Sequence, residues 1–320
     1  MSKGTNVDIP SVRGLGTWQH TPAGRRLAAR QRLLAYGLIA PSLLLIIGVM
    51  AYPMTYTVLL SFHTRILSRP ALGTRFVGLT NYIEAVQDPL FRQVFGQTLY
   101  FVVVSLAIEM VIGMGLALLL HRQFAGRDLV RGLILLPWML SPVVAAFSWA
   151  WLLNDAYGLV NYLLLKAGLI QAPLTWLGTQ GLAMKAVILV DVWREVPFVT
   201  VVLLAGLQSI PSEVHEAARV DGASAAQAFF HVTLPLLRPS ILIALLMRTM
   251  VAVRLFELVF IMTRGGPASS TEMLATYTYK EAFQSFNMGY ASSLAVVILL
   301  VSLAMSLMYI RTMYSEGHLQ

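Results

Sequence analysis

Six apolar segments, each about as long as a bilayer is thick, dominate this sequence and restrict what it can fold into. A helix needs about 20 residues to cross the roughly 30 Å hydrocarbon layer of a membrane. Runs of at least that length lie at 33–60, 95–120, 129–153, 182–207, 236–262 and 290–310. Charged residues make up only 12% of the chain, about half the share found in an ordinary soluble domain. The sequence therefore predicts an all-α polytopic membrane protein with six transmembrane helices.

The basic residues predict which side of the membrane the termini occupy. Six spans place both ends on one side, and Lys and Arg concentrate in cytoplasmic loops. The arginines that flank the spans are Arg25, Arg26, Arg30, Arg32, Arg122, Arg127, Arg131 and Arg311. We therefore expect a retained cytoplasmic tail over 1–32, a membrane domain over 33–311 and a second cytoplasmic tail over 312–320. The loop after span one also carries arginines, which run against this orientation, but the charges of a long loop affect the orientation of a membrane protein less.

Composition also excludes several kinds of site. The chain has no cysteine, which rules out disulfides, thiolate metal sites and cysteine nucleophiles. Its histidines show no paired metal-ligand spacing, so no metal is expected. The net charge of +8 sits in short loops between apolar runs, a pattern explained by topology and not by nucleic-acid binding.

Prolines occur in or beside most of the predicted spans: Pro41, Pro53, Pro137, Pro142, Pro197, Pro235 and Pro239. Each removes a backbone donor that lipid cannot replace. Ordinary kinks explain this, and so do broken helices that line a path through the membrane.

Residues 211–235, between spans four and five, are as long as a span but far too polar to be one. We expect them outside the bilayer on the cytoplasmic side. Ser212 follows Pro211 and can accept from a free amide at a helix start. Gly222 can adopt the left-handed conformation that ends a helix, and a second helix is expected over 224–230. The segment therefore predicts a helical hairpin that can dock on another surface.

This segment resembles the EAA loop of permease subunits of ATP-binding-cassette (ABC) importers. The resemblance is carried by Glu216-Ala217-Ala218, by Gly222 after three further residues, and by Val232-x-Leu234-Pro235 nine residues later. Val232 stands where the family prefers Ile, a conservative departure. The resemblance extends across the six-span body, from Ala40-Pro41 in span one through Asn81-Tyr82 to Leu136-Pro137. It implies that the membrane is a bacterial or archaeal inner membrane. The sequence is most similar to carbohydrate permeases of the maltose and trehalose type.

The resemblance implies a type I ABC importer permease fold with a coupling-helix hairpin over 209–235 that seats in a cleft of a separate ATPase subunit. It assigns ATPase coupling to Glu216, Ala217, Ala218, Asp221, Gly222, Leu234 and Pro235. It also implies two ATPase subunits, a second homologous permease in a heterodimer, and an extracytoplasmic binding protein that delivers the carbohydrate. The chain has no G-x-x-x-x-G-K-[ST] phosphate-binding motif, so it is not expected to be an enzyme. No cofactor is expected in this chain, because ATP and Mg are bound by the partner ATPase subunits.

Charged residues inside spans four and five are the second informative feature. Such residues cost at least about 2.5 kcal/mol each at the bilayer centre, so they face the bundle interior or a wet cavity and find partners. Asp191 and Arg194 can pair at i,i+3, as can Arg254 and Glu257. Two interpretations remain open: structural ion pairs that join the spans, or a substrate passage. The substrate-path candidates are Asp191, Trp193, Arg194, Glu195, Arg248, Arg254, Glu257, Trp149 and Asn154, and Glu109 in span two has the same ambiguity.

Other classes of function fit less well. A secondary transporter would have intramembrane carboxylates, but it should show paired half-repeats and no polar hairpin. A membrane enzyme would need a nucleophile motif or a metal site, and an ion channel would need a selectivity loop or a ring of like charges. An ABC permease for a solute other than a sugar, such as glycerol phosphate, is a further alternative.

Overall fold

The computed structural model describes residue 34 and residues 36–314, with side chains up to residue 312. The predicted tail over 1–32 and the residues after 314 lie outside the described part. The chain divides into two compact units, with the division between Tyr56 and Thr57. Helix α1 (Tyr36–Leu60) spans that division and contains a π-helical stretch, Ile46–Ala51.

The second unit is almost entirely helical. A two-residue antiparallel ladder joins β1 (His63–Thr64) to β2 (Arg75–Phe76). The helices that follow are α2 (Thr80–Gln87), α3 (Pro89–His121), α4 (Arg127–Met139), α5 (Pro142–Leu152), α6 (Leu159–Lys166), α7 (Gln180–Gln208), α8 (Ser212–Val220), α9 (Ala225–Ala252), α10 (Glu257–Met262), α11 (Leu274–Phe283) and α12 (Met288–Tyr314).

Helices α3 and α7 pack side by side and run in the same direction. Near their starts, Gln97 and Lys185 line one pocket. Further along, a Cβ on Gly113 would lie 2.7 Å from the side chain of Val199, so the two backbones approach closely there. Because the helices are parallel, the chain between them must return along the bundle. Helices α4 and α5 do so, with a bend of 92° at Leu140 and Ser141.

Helix α9 begins in the hairpin and continues without interruption into the bundle. It passes through a π-helical stretch, Phe229–Thr233, and ends at Ala252. The second helix predicted over 224–230 is present, and it continues into the bundle. The prediction of one unbroken span over 236–262 is wrong. Residues 253–256 interrupt that span, and α10 follows.

Among the described residues, four helices are long and apolar enough to cross a membrane: α1, α3, α9 and α12. The α4–α5 pair makes a fifth if it is counted as one broken span. Helix α7 has 29 residues, but it carries Lys185, Asp191, Arg194 and Glu195 and so is less apolar. The chain is a multi-pass membrane protein, and the count of six spans stays a prediction.

Candidate functional site

Arg248 lies in the interior of the bundle and joins three helices through hydrogen bonds. Its Nε donates to Glu109 Oε2 on α3, and its Nη2 donates to Glu109 Oε1, both at 2.7 Å. Nη2 also donates to Asp191 Oδ2 on α7, at 2.8 Å. All three side chains are only 1% exposed. Such a group is stable in a low-dielectric interior only when the charges are paired and hydrogen-bonded, as they are here.

Glu195 and Arg194 extend this cluster toward the bend between α4 and α5. Arg248 Nη1 lies 3.7 Å from Glu195 Oε2, and Arg194 forms an ion pair with the same Glu195 carboxylate. Arg194 Nε donates to the carbonyl of Leu140 at 3.3 Å. That carbonyl lies at the break between the two helices, where regular helical bonding stops. The arginine therefore satisfies a backbone group that lipid could not.

The predicted i,i+3 pairs do not form. The prediction for Asp191 and Arg194 is wrong, because Asp191 binds Arg248 from another helix and Arg194 binds its neighbour Glu195. Arg254 and Glu257 form no ion pair within the described part of the chain. Both flank the break between α9 and α10, where helical i,i+3 geometry is lost.

A cavity of about 460 Å³ opens beside the charged cluster, and we call it the central cavity. It lies where the bend between α4 and α5 faces the break between α9 and α10. Its lining residues are Trp138, Pro142, Arg194, Glu195, Phe198, Met247, Arg248, Val251, Arg254, Leu255, Glu257 and Leu258. The rings of Trp138 and Phe198 stack at 5.8 Å along one wall. This size and this mixture of aromatic and charged walls suit a small polar ligand.

Arg248, which is among the residues that line the central cavity, has unused donor capacity at the nitrogen that lies 3.7 Å from Glu195 Oε2. Its Nη1 is buried and has no hydrogen-bond partner among the described residues, although the rest of the guanidinium is fully used. A ligand oxygen at this position would complete the bonding of the group. The arrangement can therefore orient a hydroxyl or carboxylate against an aromatic wall.

Four of the predicted path residues are not among those that line the cavity, and one of them, Asp191, is bonded to Arg248 instead. Trp149 and Trp193 contact each other edge to face at 5.4 Å, and neither is among the residues that line the cavity. Asn154 caps a turn, because its Oδ1 accepts from the amides of Ala156 at 2.9 Å and Tyr157 at 3.3 Å. These positions have structural contacts that explain the residue types. Glu109, for which the sequence left both interpretations open, is the bidentate partner of Arg248, and no local spacing in the sequence indicates that pairing.

The hairpin between α7 and α9 has the predicted form with different details. Helix α8 begins at Ser212, but no side chain caps its start. Gly222 has φ +79°, and a Cβ there would meet nothing within 4 Å. The glycine is thus needed for its conformation and not for close packing inside this chain. Ser224 begins α9 with a capping box to Gln227, which fixes the direction of the second helix.

The surface of the hairpin differs from the predicted contact set in one respect. Glu216, Ala217 and Asp221 are exposed, but Ala218 is 8% exposed and packs within this chain. Two large apolar side chains that the sequence analysis did not select stand out: Val220 is 87% exposed and Phe230 is 61% exposed. Leu234 and Pro235 lie inside α9, just after its π-helical stretch.

Comparison with known proteins identifies the family. Residues 109–315, well over half of the chain, match the family described as "Binding-protein-dependent transport system inner membrane component". The chain belongs to this family. The matched range begins with the glutamate that binds Arg248 and includes the whole hairpin, so both features described above fall within this transport component.

Curated relatives match over nearly the whole chain. The trehalose/maltose transport system permease protein MalF of Thermococcus litoralis is 34% identical over 89% of this chain and 95% of its own length. The sulfoquinovosyl glycerol transport system permease protein SmoG of Agrobacterium fabrum is 36% identical over 90% and 92%. The trehalose transport system permease protein SugA of Mycobacterium tuberculosis is 38% identical over 86% of both chains.

Solved structures share the fold. A bacterial ABC transporter involved in the import of the acidic polysaccharide alginate aligns with a TM-score of 0.77 at 23% identity, over 90% of this chain and 98% of that one. A second structure, of the alginate transporter in complex with an alginate pentasaccharide-bound periplasmic protein, aligns with a TM-score of 0.74 at 22% identity, over 88% and 93%. The chain therefore has the ABC importer permease fold.

Proposed function

We propose that this chain is the permease subunit of an ABC importer and forms part of the path for a carbohydrate delivered by an extracytoplasmic binding protein. The observation that carries the proposal is the hairpin of the EAA type, joined by one continuous helix, α9, to a cavity with an aromatic wall and charged groups. The relatives named for trehalose and maltose transport favour a disaccharide or oligosaccharide.

The proposed partners are two ATPase subunits and a second permease. The sequence of this chain has no phosphate-binding motif, so ATP and Mg are assigned to two separate ATPase subunits. A second permease completes the path. Helix α7, in which Asp191 and Glu195 are buried, and the broken pair α9–α10 bring the number of crossings to six, together with α1, α3, α4–α5 and α12. Both termini then lie in the cytoplasm with the hairpin.

The exposed face of the hairpin supplies the contact with the ATPase. Val220 and Phe230 provide apolar area for a cleft, while Glu216 and Asp221 provide polar contacts around it. Ala217 lets the partner backbone approach closely. Gly222 holds the turn between the two helices in the left-handed conformation, so the relative direction of α8 and α9 depends on it.

Sugar recognition in the central cavity uses both kinds of wall. A pyranose ring presents apolar C–H groups to the Trp138–Phe198 stack and hydroxyls to the charged groups opposite. Arg248 Nη1 donates to one hydroxyl, and Arg254 and Glu257 are available to others. Asp191 and Glu109 hold Arg248 in place and do not reach the sugar themselves.

Co-purification from the native membrane tests the assembly. We expect wild type to bring down an ATPase and a second permease, and Gly222→Pro to lose the ATPase, because proline cannot adopt a positive φ. Gly168→Pro is the matched control, since Gly168 also has a positive φ (+69°) and open space but lies in the loop after α6. A chain that purifies alone in all three forms would support a secondary transporter instead. An ATPase that stays bound to Gly222→Pro would contradict the role of the hairpin.

Uptake by the reconstituted complex tests the substrate. ATP-dependent accumulation of trehalose or maltose, reduced at least tenfold by Arg254→Ala in a complex that still assembles, is the expected result. Accumulation of glycerol phosphate without any sugar would keep the importer and overturn the carbohydrate assignment.

A further inference from the structure

A second pocket, of about 490 Å³, lies at the end of the bundle away from the hairpin. It is formed by the first turns of α3 and α7 together with Ser270 in the loop between α10 and α11. Its lining residues are Arg92, Gln93, Gly96, Gln97, Tyr100, Gln180, Gly181, Met184, Lys185 and Ser270. We call it the basic pocket, because it has two cationic residues and no acidic one in its lining.

Several polar groups in the basic pocket lack partners. Gln97 Oε1 and Ser270 Oγ are both buried atoms without a hydrogen-bond partner among the described residues. Gln93 Nε2 donates only at 3.3 Å, to the carbonyl of Ser269, and is otherwise available. Buried polar atoms in folded proteins are nearly always bonded to protein, water or a ligand. The pocket therefore offers bonding capacity that this chain does not use itself.

Two glycines keep the basic pocket open. A Cβ at Gly96 or at Gly181 would meet nothing within 4 Å, so internal packing does not explain why a side chain is missing at either position. On α7, Gly181 lies in the first turn, where the amides of Leu182 and Ala183 donate to the carbonyl of Thr179. The amides of Gln180 and Gly181 precede these bonds, have no partner within the helix and favour negative charge. The small residues, the free amides and the flanking cations Arg92 and Lys185 all suit the approach of an anionic group.

The depth of the basic pocket matches the headgroup region of a bilayer. Helix α3 has 33 residues and is about 50 Å long, which leaves about 10 Å beyond a 30 Å hydrocarbon layer at each end. Arg92 and Gln93 lie within that first 10 Å, and Tyr100 lies just below, where tyrosine is typical of the interface. Lys185 can extend its side chain toward the same level from α7.

We propose that the basic pocket binds the phosphate of an anionic phospholipid headgroup. Arg92 and Lys185 neutralise the phosphate, and Ser270, Gln97 and Gln93 bond its oxygens or the polar end of the headgroup. The exposed apolar side chains farther along α3, Val103 and Val111 among them, meet the acyl chains below. The lipid would thereby hold the starts of α3 and α7 and the loop that carries Ser270 in one arrangement.

Lipid binding to the intact membrane complex tests this proposal. The complex is stripped of lipid in detergent and then given phosphatidylglycerol or phosphatidylcholine, and bound lipid is counted by native mass spectrometry. We expect wild type to retain phosphatidylglycerol at least tenfold better than phosphatidylcholine. The variant Arg92→Ala/Lys185→Ala should lose that preference, whereas Arg75→Ala/Lys166→Ala, which removes the same charge outside the pocket, should keep it.

Two further experiments distinguish a lipid phosphate from free phosphate and test whether the shape of the pocket matters. Inorganic phosphate at millimolar concentration should not displace the lipid; if it does, the pocket is a free-anion site and the lipid assignment is overturned. Filling the pocket with Gly96→Leu should reduce phosphatidylglycerol retention without changing the charge. Equal retention in all variants, or a pocket that the assembled partner covers so that no lipid is retained, would contradict the proposal.

Discussion

Arg248 and Glu109, 139 residues apart in the sequence, meet through two parallel hydrogen bonds of 2.7 Å in the interior of the bundle. The pair fixes the contact between α9 and α3. With Asp191 on α7 it also fixes the relative position of three helices, of which α7 and α9 line the central cavity. Its geometry is that of the bidentate arginine–carboxylate pair, which is directional as well as strong.

Removing the arginine should destabilise the bundle strongly. In Arg248→Met, the carboxylates of Glu109 and Asp191 lose their cation while both stay buried, which costs about 3–5 kcal/mol for a buried pair. Thermal unfolding of the purified chain in detergent should show a marked decrease in midpoint. The double variant Glu109→Gln/Arg248→Met removes one of the stranded charges and should recover part of the loss. Equal midpoints for the wild type and Arg248→Met would show that the cluster does not hold the helices together.

The contact between α7 and α9 should be sensitive to a single methyl group at Gly206. A Cβ there would lie 2.6 Å from the Cβ of Ser240 and 2.7 Å from Leu237 Cδ1, so Gly206→Ala forces the helices apart. We expect a loss of about 1–3 kcal/mol. Gly115→Ala is the control, because a Cβ there meets nothing within 4 Å. It should be neutral or stabilising by up to about 1 kcal/mol through helix propensity. The same unfolding midpoint in both variants would contradict the close approach.

A tyrosine on α11 bonds that helix to the start of α3. The Tyr277 hydroxyl donates to Asp88 Oδ2 at 2.8 Å, and Asp88 Oδ1 accepts from the amide of Leu90 at the helix start. Burial raises the pKa of the Tyr277 phenol, so it stays a donor at any physiological pH. Tyr277→Phe should lower stability by about 1.5–3 kcal/mol, typical of a hydrogen bond to a charged group. Tyr162→Phe, at an exposed position, should have no measurable effect, and equal effects would exclude the role of this bond.

Stability should also depend on pH through Glu281 on α11. Burial raises the pKa of this carboxyl above its usual 4.5, and the charge of Asp88 adds to the effect. The folded state therefore favours the protonated acid, so this contribution is complete below about pH 4.5 and is lost as pH rises through the higher folded-state pKa. Glu281→Gln should raise the unfolding midpoint at pH 8 relative to wild type by more than at pH 4. The same difference at both pH values would contradict the raised pKa.

The features that the sequence predicts well are the local ones. Gly222 adopts the left-handed conformation expected of it because a tight turn between two polar helices leaves few alternatives. The buried charges of α7 lie inside the bundle as expected, since lipid does not tolerate them. The partner of Asp191 could not be read from spacing, because the nearest arginine in sequence, Arg194, pairs with Glu195 and the true partner comes from another helix.

The sequence also does not predict the two breaks in the helices. Proline at 137 and 142 indicated some irregularity, but the sequence does not give the size of the bend, 92°, or the arginine of α7 that bonds the Leu140 carbonyl there. Residues 253–256 contain neither proline nor glycine, so nothing local marks the end of α9. Both breaks border the central cavity, which is therefore a product of tertiary packing and not of any single motif.

Helix α9 joins the hairpin to the interior of the bundle as one continuous helix. From Ala225 in the hairpin to Arg248 beside the cavity the helix runs for 23 residues, about 35 Å at 1.5 Å per residue. A tilt of about 5° at the hairpin end would displace the other end by about 3 Å, as far as a hydrogen bond is long. A displacement of that size is as large as the distances between Arg248 and its carboxylates, so the geometry of that buried cluster is coupled to the direction in which the hairpin points.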